Sequence, residues 1–211
     1  MRGRINYQKG SSTTRAFGTE GEGGGEFKLP WGVTIDNERE YIITTDSGNH
    51  RVQVFDIRGD FLFKFGGQGS KKSQFNGPKG VTFSQKGYIV VADSGNHRIQ
   101  VFNEDGRFVR LFGTQGSNPG ELSHPCGVSY WENKDVVAVT EQDNHRLQMF
   151  TLQGEPLMRI GSQGGEDGEF LYPHHVTFNS KGLCLVSDCV NDRIQVINED
   201  GGYLFQFGEE G

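Results

Sequence analysis

Long apolar runs are missing from this chain. No stretch approaches the roughly 20 consecutive apolar residues that a membrane-spanning helix needs, and the polar, basic start from Met1 to Thr14 has no apolar core of a secretory signal. Cysteine is scarce: Cys126, Cys184 and Cys189 are an odd number, and if Cys184 and Cys189 share a strand their odd separation puts them on opposite faces, too far apart to bridge. Reduced thiols, a cytoplasmic setting and no membrane partner are the expectation. There is no C-x-x-C pair or Cys/His cluster to hold zinc, no Gly-rich phosphate loop and no G-x-S-x-G elbow. No catalytic residue, metal or cofactor is therefore assigned. Helical periodicity is lacking as well, which excludes an amphipathic-helix architecture.

Glycine, by contrast, supplies 32 of 211 residues, about twice the usual roughly 7% share, and there are 16 phenylalanines. Many turns and aromatic-rich strands predict an all-β chain. Self-similarity organises it. An aromatic or aliphatic residue followed by glycine recurs at Phe17-Gly18, Phe65-Gly66, Phe112-Gly113, Ile160-Gly161 and Phe207-Gly208, at steps of 47 or 48. Asn49, Asn96, Asn144 and Asn191 keep the same step, as do Pro30, Pro78, Pro125 and Pro173. Each repeat divides into four short strands; in the second these are Gly80 to Phe83, Tyr88 to Asp93, Arg98 to Phe102 and Phe108 to Gly113. Asp105-Gly106 is a hairpin signal, since both residues tolerate positive φ. Ile89-Val90-Val91-Ala92 and Val136-Val137-Ala138-Val139 lack alternation, as strands covered on both faces do. A four-stranded antiparallel meander packed between two like neighbours is a β-propeller blade, and the sequence predicts four complete ones.

The pattern P-x-G-V, then D-x-x-N-H-R-[VI]-Q-V-F, then a strand ending in F-G, resembles the NHL repeat. It stands as Pro30 to Val33 with Asp46 to Phe55, and as Pro78 to Val81 with Asp93 to Phe102. Glu141 replaces aspartate in the third repeat; His175 replaces glycine and Asp192 replaces histidine in the fourth. Residues 1–14 read as a polar tail and 15–211 as a propeller arc with repeats at about 19–66, 67–113, 114–161 and 162–208. The even repeats are most similar to the C-terminal propellers of TRIM-NHL proteins, usually six-bladed. That resemblance implies recognition of a protein partner or an RNA stem-loop, as the target arm of a ubiquitin ligase or a post-transcriptional repressor. A metal-dependent lactonase-like or amidating-lyase-like propeller is the alternative, but it leads one to expect central carboxylates or histidines.

Asp46, Asp93, Glu141 and Asp188 each precede an arginine, Arg51, Arg98, Arg146 and Arg193, by five residues across a tight turn. A repeated pair suits a structural ion pair rather than an active site. His50, His97 and His145 fall at one repeat position on different blades, about 10 Å apart, too far to share a metal. The residue between Pro and Gly is expected at the mouth of the central channel, and it varies: Trp31, Lys79, Cys126, His174. With Tyr172, Lys71 and Lys72, these four are the expected ligand-binding set. Lys71 and Lys72 enter because the second repeat carries +4 while the first, third and fourth carry −4, −3 and −5. Long variable loops at this end, against short turns such as Arg58-Gly59-Asp60 at the other, favour the same face.

Phe17-Gly18 reads as the end of an outer strand whose blade partners are missing, while the last blade has its own outer strand. The expectation is an open arc of a roughly six-bladed ring, completed by further blades or another chain.

Overall fold

The computed structural model describes residues 16–208; the expected tail over 1–14 lies outside the described residues, as do 209–211. A short parallel ribbon comes first, β1 (Thr19–Glu20) beside β2 (Glu26–Phe27). Blade 1 follows with β3 (Pro30–Asp36), β4 (Tyr41–Asp46), β5 (Arg51–Asp56) and β6 (Phe61–Gly66). Blade 2 has β7 (Pro78–Ser84), β8 (Tyr88–Asp93), β9 (Arg98–Asn103) and β10 (Phe108–Phe112). Blade 3 has β11 (Pro125–Trp131), β12 (Val136–Glu141), β13 (Arg146–Thr151) and β14 (Pro156–Ile160). Blade 4 has β15 (Pro173–Phe178), β16 (Cys184–Asp188), β17 (Arg193–Ile197) and β18 (Tyr203–Phe207). Each blade is an antiparallel meander from inner to outer strand, so the chain is a four-bladed all-β propeller arc.

The non-alternating strands are covered on both faces: Ile89, Val90, Val91 and Ala92 are all 0% exposed. One hairpin departs from expectation. Only Gly106 takes positive φ, 75°, while Asn103 Oδ1 accepts the amides of Asp105 and Arg107, and the register shifts between Phe108 and Arg110. A side chain that turns its own backbone removes the need for a second left-handed residue. Cys189 lies in a 3-10 turn beyond the end of β16, so it shares no strand with Cys184; all three cysteines are free.

Blades stack through their inner strands, β3 on β7, β7 on β11 and β11 on β15, with no comparable packing of β15 on β3 among the described residues. Glycine makes this close approach possible. A Cβ on Gly32 would lie 2.6 Å from the Lys79 carbonyl oxygen, and one on Gly80 would lie 2.6 Å from that of Cys126. The arc is open at both ends. Val33 is 67% exposed, whereas its counterparts Val81, Val128 and Val176 are 6%, 2% and 1%. Phe17 is not in a strand, yet its ring lies 5.3 Å from Phe55, as Phe65 lies 4.7 Å from Phe102 and Phe112 lies 5.1 Å from Phe150. It caps the outer half of blade 1 in the place a preceding blade's outer strand would fill.

Candidate functional site

Every inner strand begins with an irregular register, between Pro30 and Val33, Pro78 and Val81, Pro125 and Val128, and Pro173 and Val176. Such a bulge re-aims the intervening side chain. Three of these four variable residues converge. Lys79 Nζ sits 5.1 Å over the Trp31 ring, and the Trp31 and His174 rings are 6.1 Å apart. Gln142 joins them: its Oε1 accepts from Lys79 Nζ, and its Nε2 lies 2.6 Å from His174 Nε2. Because the amide oxygen is committed to Lys79, the amide N–H donates to His174 Nε2, which leaves the imidazole proton on Nδ1. Burial, helped by the Lys79 charge, holds His174 below the ordinary histidine range and therefore neutral at pH 7. Trp31 is 49% exposed.

Cys126 departs from the expected set. It is 0% exposed, and burial pushes its thiol up to about 11 against the opposing pull of Lys79, so it is an inert wall group. The lysines diverge too. Lys72 Nζ hangs 5.5 Å over Phe108, the first residue of the outer strand β10, far along the blade from Lys79. Lys71 is exposed, and its carbonyl accepts from Arg98 Nη2 at 2.8 Å. Tyr172 is 43% exposed, but its ring packs on His145 at 4.6 Å rather than on Trp31. Gln142 was invisible to sequence reasoning, because it follows Glu141 in a turn and meets Lys79 only across the arc.

The acid–arginine pairs all form. Nε of Arg51, Arg98, Arg146 and Arg193 reaches Asp46, Asp93, Glu141 and Asp188 at 2.7, 2.7, 2.5 and 2.8 Å, and each acid is buried. Each pair also clamps the loop leading into its own blade: Arg98 donates to the carbonyls of Ser70, Lys71 and Gln74. The R-x-Q glutamines complete the network. Gln100 Nε2 donates to Gln74 O at 2.7 Å and to Asp93 Oδ2 at 3.1 Å, while its Oε1 accepts the Ser73 amide. Their recurrence as Gln53, Gln100, Gln148 and Gln195 was the available signal. The repeated histidines are interblade acceptors: Nδ1 of His50, His97 and His145 takes an amide N–H from Gly77, His124 and Tyr172.

Fold and repeat define a β-propeller built of four-stranded blades. The NHL repeat family matches residues 27–55 and 75–102, which fall on the first and second blades. Curated relatives are TRIM-NHL proteins. Protein lin-41 of Caenorhabditis elegans is 48% identical over 48 residues, 23% of this chain and 4% of that protein. E3 ubiquitin-protein ligase TRIM71 of Rattus norvegicus is 49% identical over 49 residues, and Protein brain tumor of Drosophila melanogaster is 42% identical over 65, covering 23% and 31% of this chain. The matched stretch is 6% of each of those two proteins. Among solved structures, a chain of the Nidogen/Laminin complex aligns with a TM-score of 0.67 at 18% identity, over 87% of this chain and 65% of that one. Streptogramin B lyase aligns at 0.66 with 17% identity, over 85% and 54%. At that identity these two likenesses establish the fold alone. Among the described residues no helix is long and apolar enough to cross a membrane, and no group of three or more His, Cys, Asp or Glu is placed to hold a metal ion.

Proposed function

We propose that this chain is a non-catalytic recognition module, the propeller of a TRIM-NHL-like protein, which binds a protein partner at the channel mouth. One observation carries the reading. Trp31, Lys79 and His174, from three blades, meet with Gln142 as their link, and the groups left over are donors. Beyond the Trp31 ring under its ammonium, Lys79 retains two N–H and His174 its Nδ1–H with no hydrogen-bond acceptor among the described residues. An all-donor set beside an exposed indole suits a carboxylate flanked by an apolar or aromatic group. In a protein resembling the ubiquitin ligase among its relatives, such a module would select the target, within the cytoplasm. Its ring would be completed to about six blades by further sequence or another chain. Structured RNA is the second reading, favoured by the exposed faces of Trp31 and Tyr172 as stacking platforms.

The test is a binding titration of an acidic, tryptophan-containing peptide and of a stem-loop RNA, each across a salt series. Combined Trp31→Ala, Lys79→Ala and His174→Ala should abolish binding and keep the native fold, while Arg58→Ala and Lys86→Ala at the other end are silent. For RNA, each lost phosphate contact makes the log–log salt slope shallower by about 0.7 to 0.9. Loss of binding in the Arg58 and Lys86 variants, with retention in the triple variant, would reject the site.

A further inference from the structure

The residue that leads from each inner strand into its turn, at the end opposite the channel mouth, is Asp36, Ser84, Trp131 or Asn179 in blades 1 to 4. Three of them fold back on their own hairpins. Asp36 Oδ1 accepts the amides of Glu38 and Arg39, Ser84 Oγ that of Tyr88, and Asn179 Oδ1 those of Lys181 and Leu183. An indole has no acceptor to offer its turn. Trp131 runs instead against the neighbouring turn of blade 4, where its ring stacks on Phe178 at 5.3 Å and a Cβ on Gly182 would strike its six-membered ring. Trp131 is 7% exposed, yet its indole N–H has no acceptor among the described residues. A buried donor left unpaired is uncommon and calls for a cause.

The two turns leave a cavity of about 250 Å³ between them, walled by Trp131, Glu132, Asn133, Phe178, Asn179 and Ser180. That is under the roughly 300–1,000 Å³ of a small-molecule site and suits one side chain. Blades 3 and 4 supply these walls by facing each other, so the cavity keeps its place in a completed ring. Its charge is that of Glu132, which is half-buried, accepts the Gln85 amide through Oε1 at 2.7 Å and makes no ion pair among the described residues. Lys86, near enough to pull on that carboxyl, is bound to Asp135 at 2.8 Å, and Lys134 to Glu199 at 2.7 Å. Burial, opposed by the Gln85 amide and by Lys86, raises the Glu132 pKa, as it does for a carboxylate short of a counter-ion. Lys134 Nζ also rests 4.8 Å over the Trp131 ring, so a cation on this indole is already part of the fold.

We infer that the cavity between the turns of blades 3 and 4 seats an arginine side chain from a short segment of a partner protein, its guanidinium paired with Glu132 and flat against Phe178. A planar cation with a fork of donors satisfies a carboxylate and an aromatic wall together, which a compact ammonium does less well. The Asn133 and Ser180 side-chain oxygens accept its remaining N–H groups, and the segment's backbone brings the carbonyl that the Trp131 indole lacks. At the channel mouth the unspent groups are donors, whereas here the unspent charge is an acceptor. Neither reading rests on the other.

The probe is the blocked peptide acetyl-Gly-Ser-Arg-Ser-Gly-amide, titrated into the whole chain while the Trp131 indole N–H signal is followed by NMR. Trp31→Phe assigns that signal by removing the other indole. The Trp131 signal moves saturably, and the Trp31→Phe chain binds the peptide as the parent does. Citrulline in place of the arginine keeps the shape and drops the charge, and it weakens binding at least about tenfold, or about 1.4 kcal/mol. Glu132→Gln, which keeps an oxygen for the Gln85 amide, weakens it about as much with an unchanged circular dichroism spectrum. No saturable shift in a millimolar titration, equal binding of the citrulline peptide, or indifference to Glu132→Gln overturns the inference. Loss of binding in Trp31→Phe would move the site to the channel mouth and overturn it too. A lysine peptide that binds as tightly as the arginine one overturns the choice of a guanidinium.

Discussion

Arg98 points its Nε–H at Asp93 Oδ2 across 2.7 Å, and the Asp93 side chain is wholly buried. The same carboxylate also accepts from Asn96, from Gln100 and from the Asn76 backbone amide. One acid therefore joins two strands, the 3-10 turn between them and the loop from the preceding blade.

Asp93→Ala leaves a buried guanidinium without its counter-ion and orphans the Asn76 amide. Breaking a buried pair from one side costs about 3–5 kcal/mol. Arg98 keeps its three loop carbonyls, which places the loss at the lower end, about 3 kcal/mol. Urea denaturation of the variant against the parent measures it; coincident curves would show that the pair holds nothing.

Gly80→Ala tests the blade spacing. The added methyl would lie 2.6 Å from Cys126 O and 2.8 Å from Val128 N, both backbone atoms that cannot swing aside. The expected loss is about 1–3 kcal/mol. His175→Gly, at the equivalent but exposed position, should stay within about 1 kcal/mol of the parent. Equal effects at the two positions would mean that inner-strand contact does not set the requirement for glycine.

Acid should loosen the joint between blades 2 and 3. His97 Nδ1 must be unprotonated to accept the His124 amide at 3.2 Å. Burial first, and the His124 ring second, lower its pKa, with the nearby Asp143 pulling the other way. A depressed histidine contributes stability that is fully present above the unfolded value, about 6.5, and is lost as pH falls through the folded value. His97→Asn keeps a left-handed residue and an acceptor that does not titrate. The variant should show a flatter dependence of melting temperature on pH below about 6.5; an unchanged slope would assign the dependence to other groups.

The blades were legible because their signals are local. Pro78, Asp93, Asn96, Arg98 and the Phe112-Gly113 pair are fixed by turn chemistry and strand ends, and they recur at one step along the chain. The site was legible only as positions. Trp31, Lys79 and His174 could be placed at one end of the inner strands, but which of them meet depends on blade curvature. Cys126 is buried and Lys79 is not, although their sequence flanks match, because each is shaped by the next blade over. Gln142 lay hidden for the same reason: its partners are 63 and 32 residues away. Lys71 and Lys72 lie on the loop that leads into β7, where Lys79 sits, and nothing in the sequence signals how far that loop runs between outer and inner strand.

The link between Lys79 and His174 can be read without any ligand. Burial is the larger cause of the lowered His174 pKa and the Lys79 ammonium the smaller. Lys79→Met removes the charge, keeps most of the apolar stem over Trp31, and frees Gln142 Oε1. The His174 pKa should then rise toward the ordinary value near 6.5 without reaching it, because the burial remains. Gln142→Leu removes the hydrogen-bond bridge but leaves the charge, so His174 loses the donor to Nε2 that holds its proton on Nδ1. Following the His174 ring protons by NMR through a pH titration separates the two effects. A His174 titration that Lys79→Met leaves unmoved would show that the two side chains do not share a site.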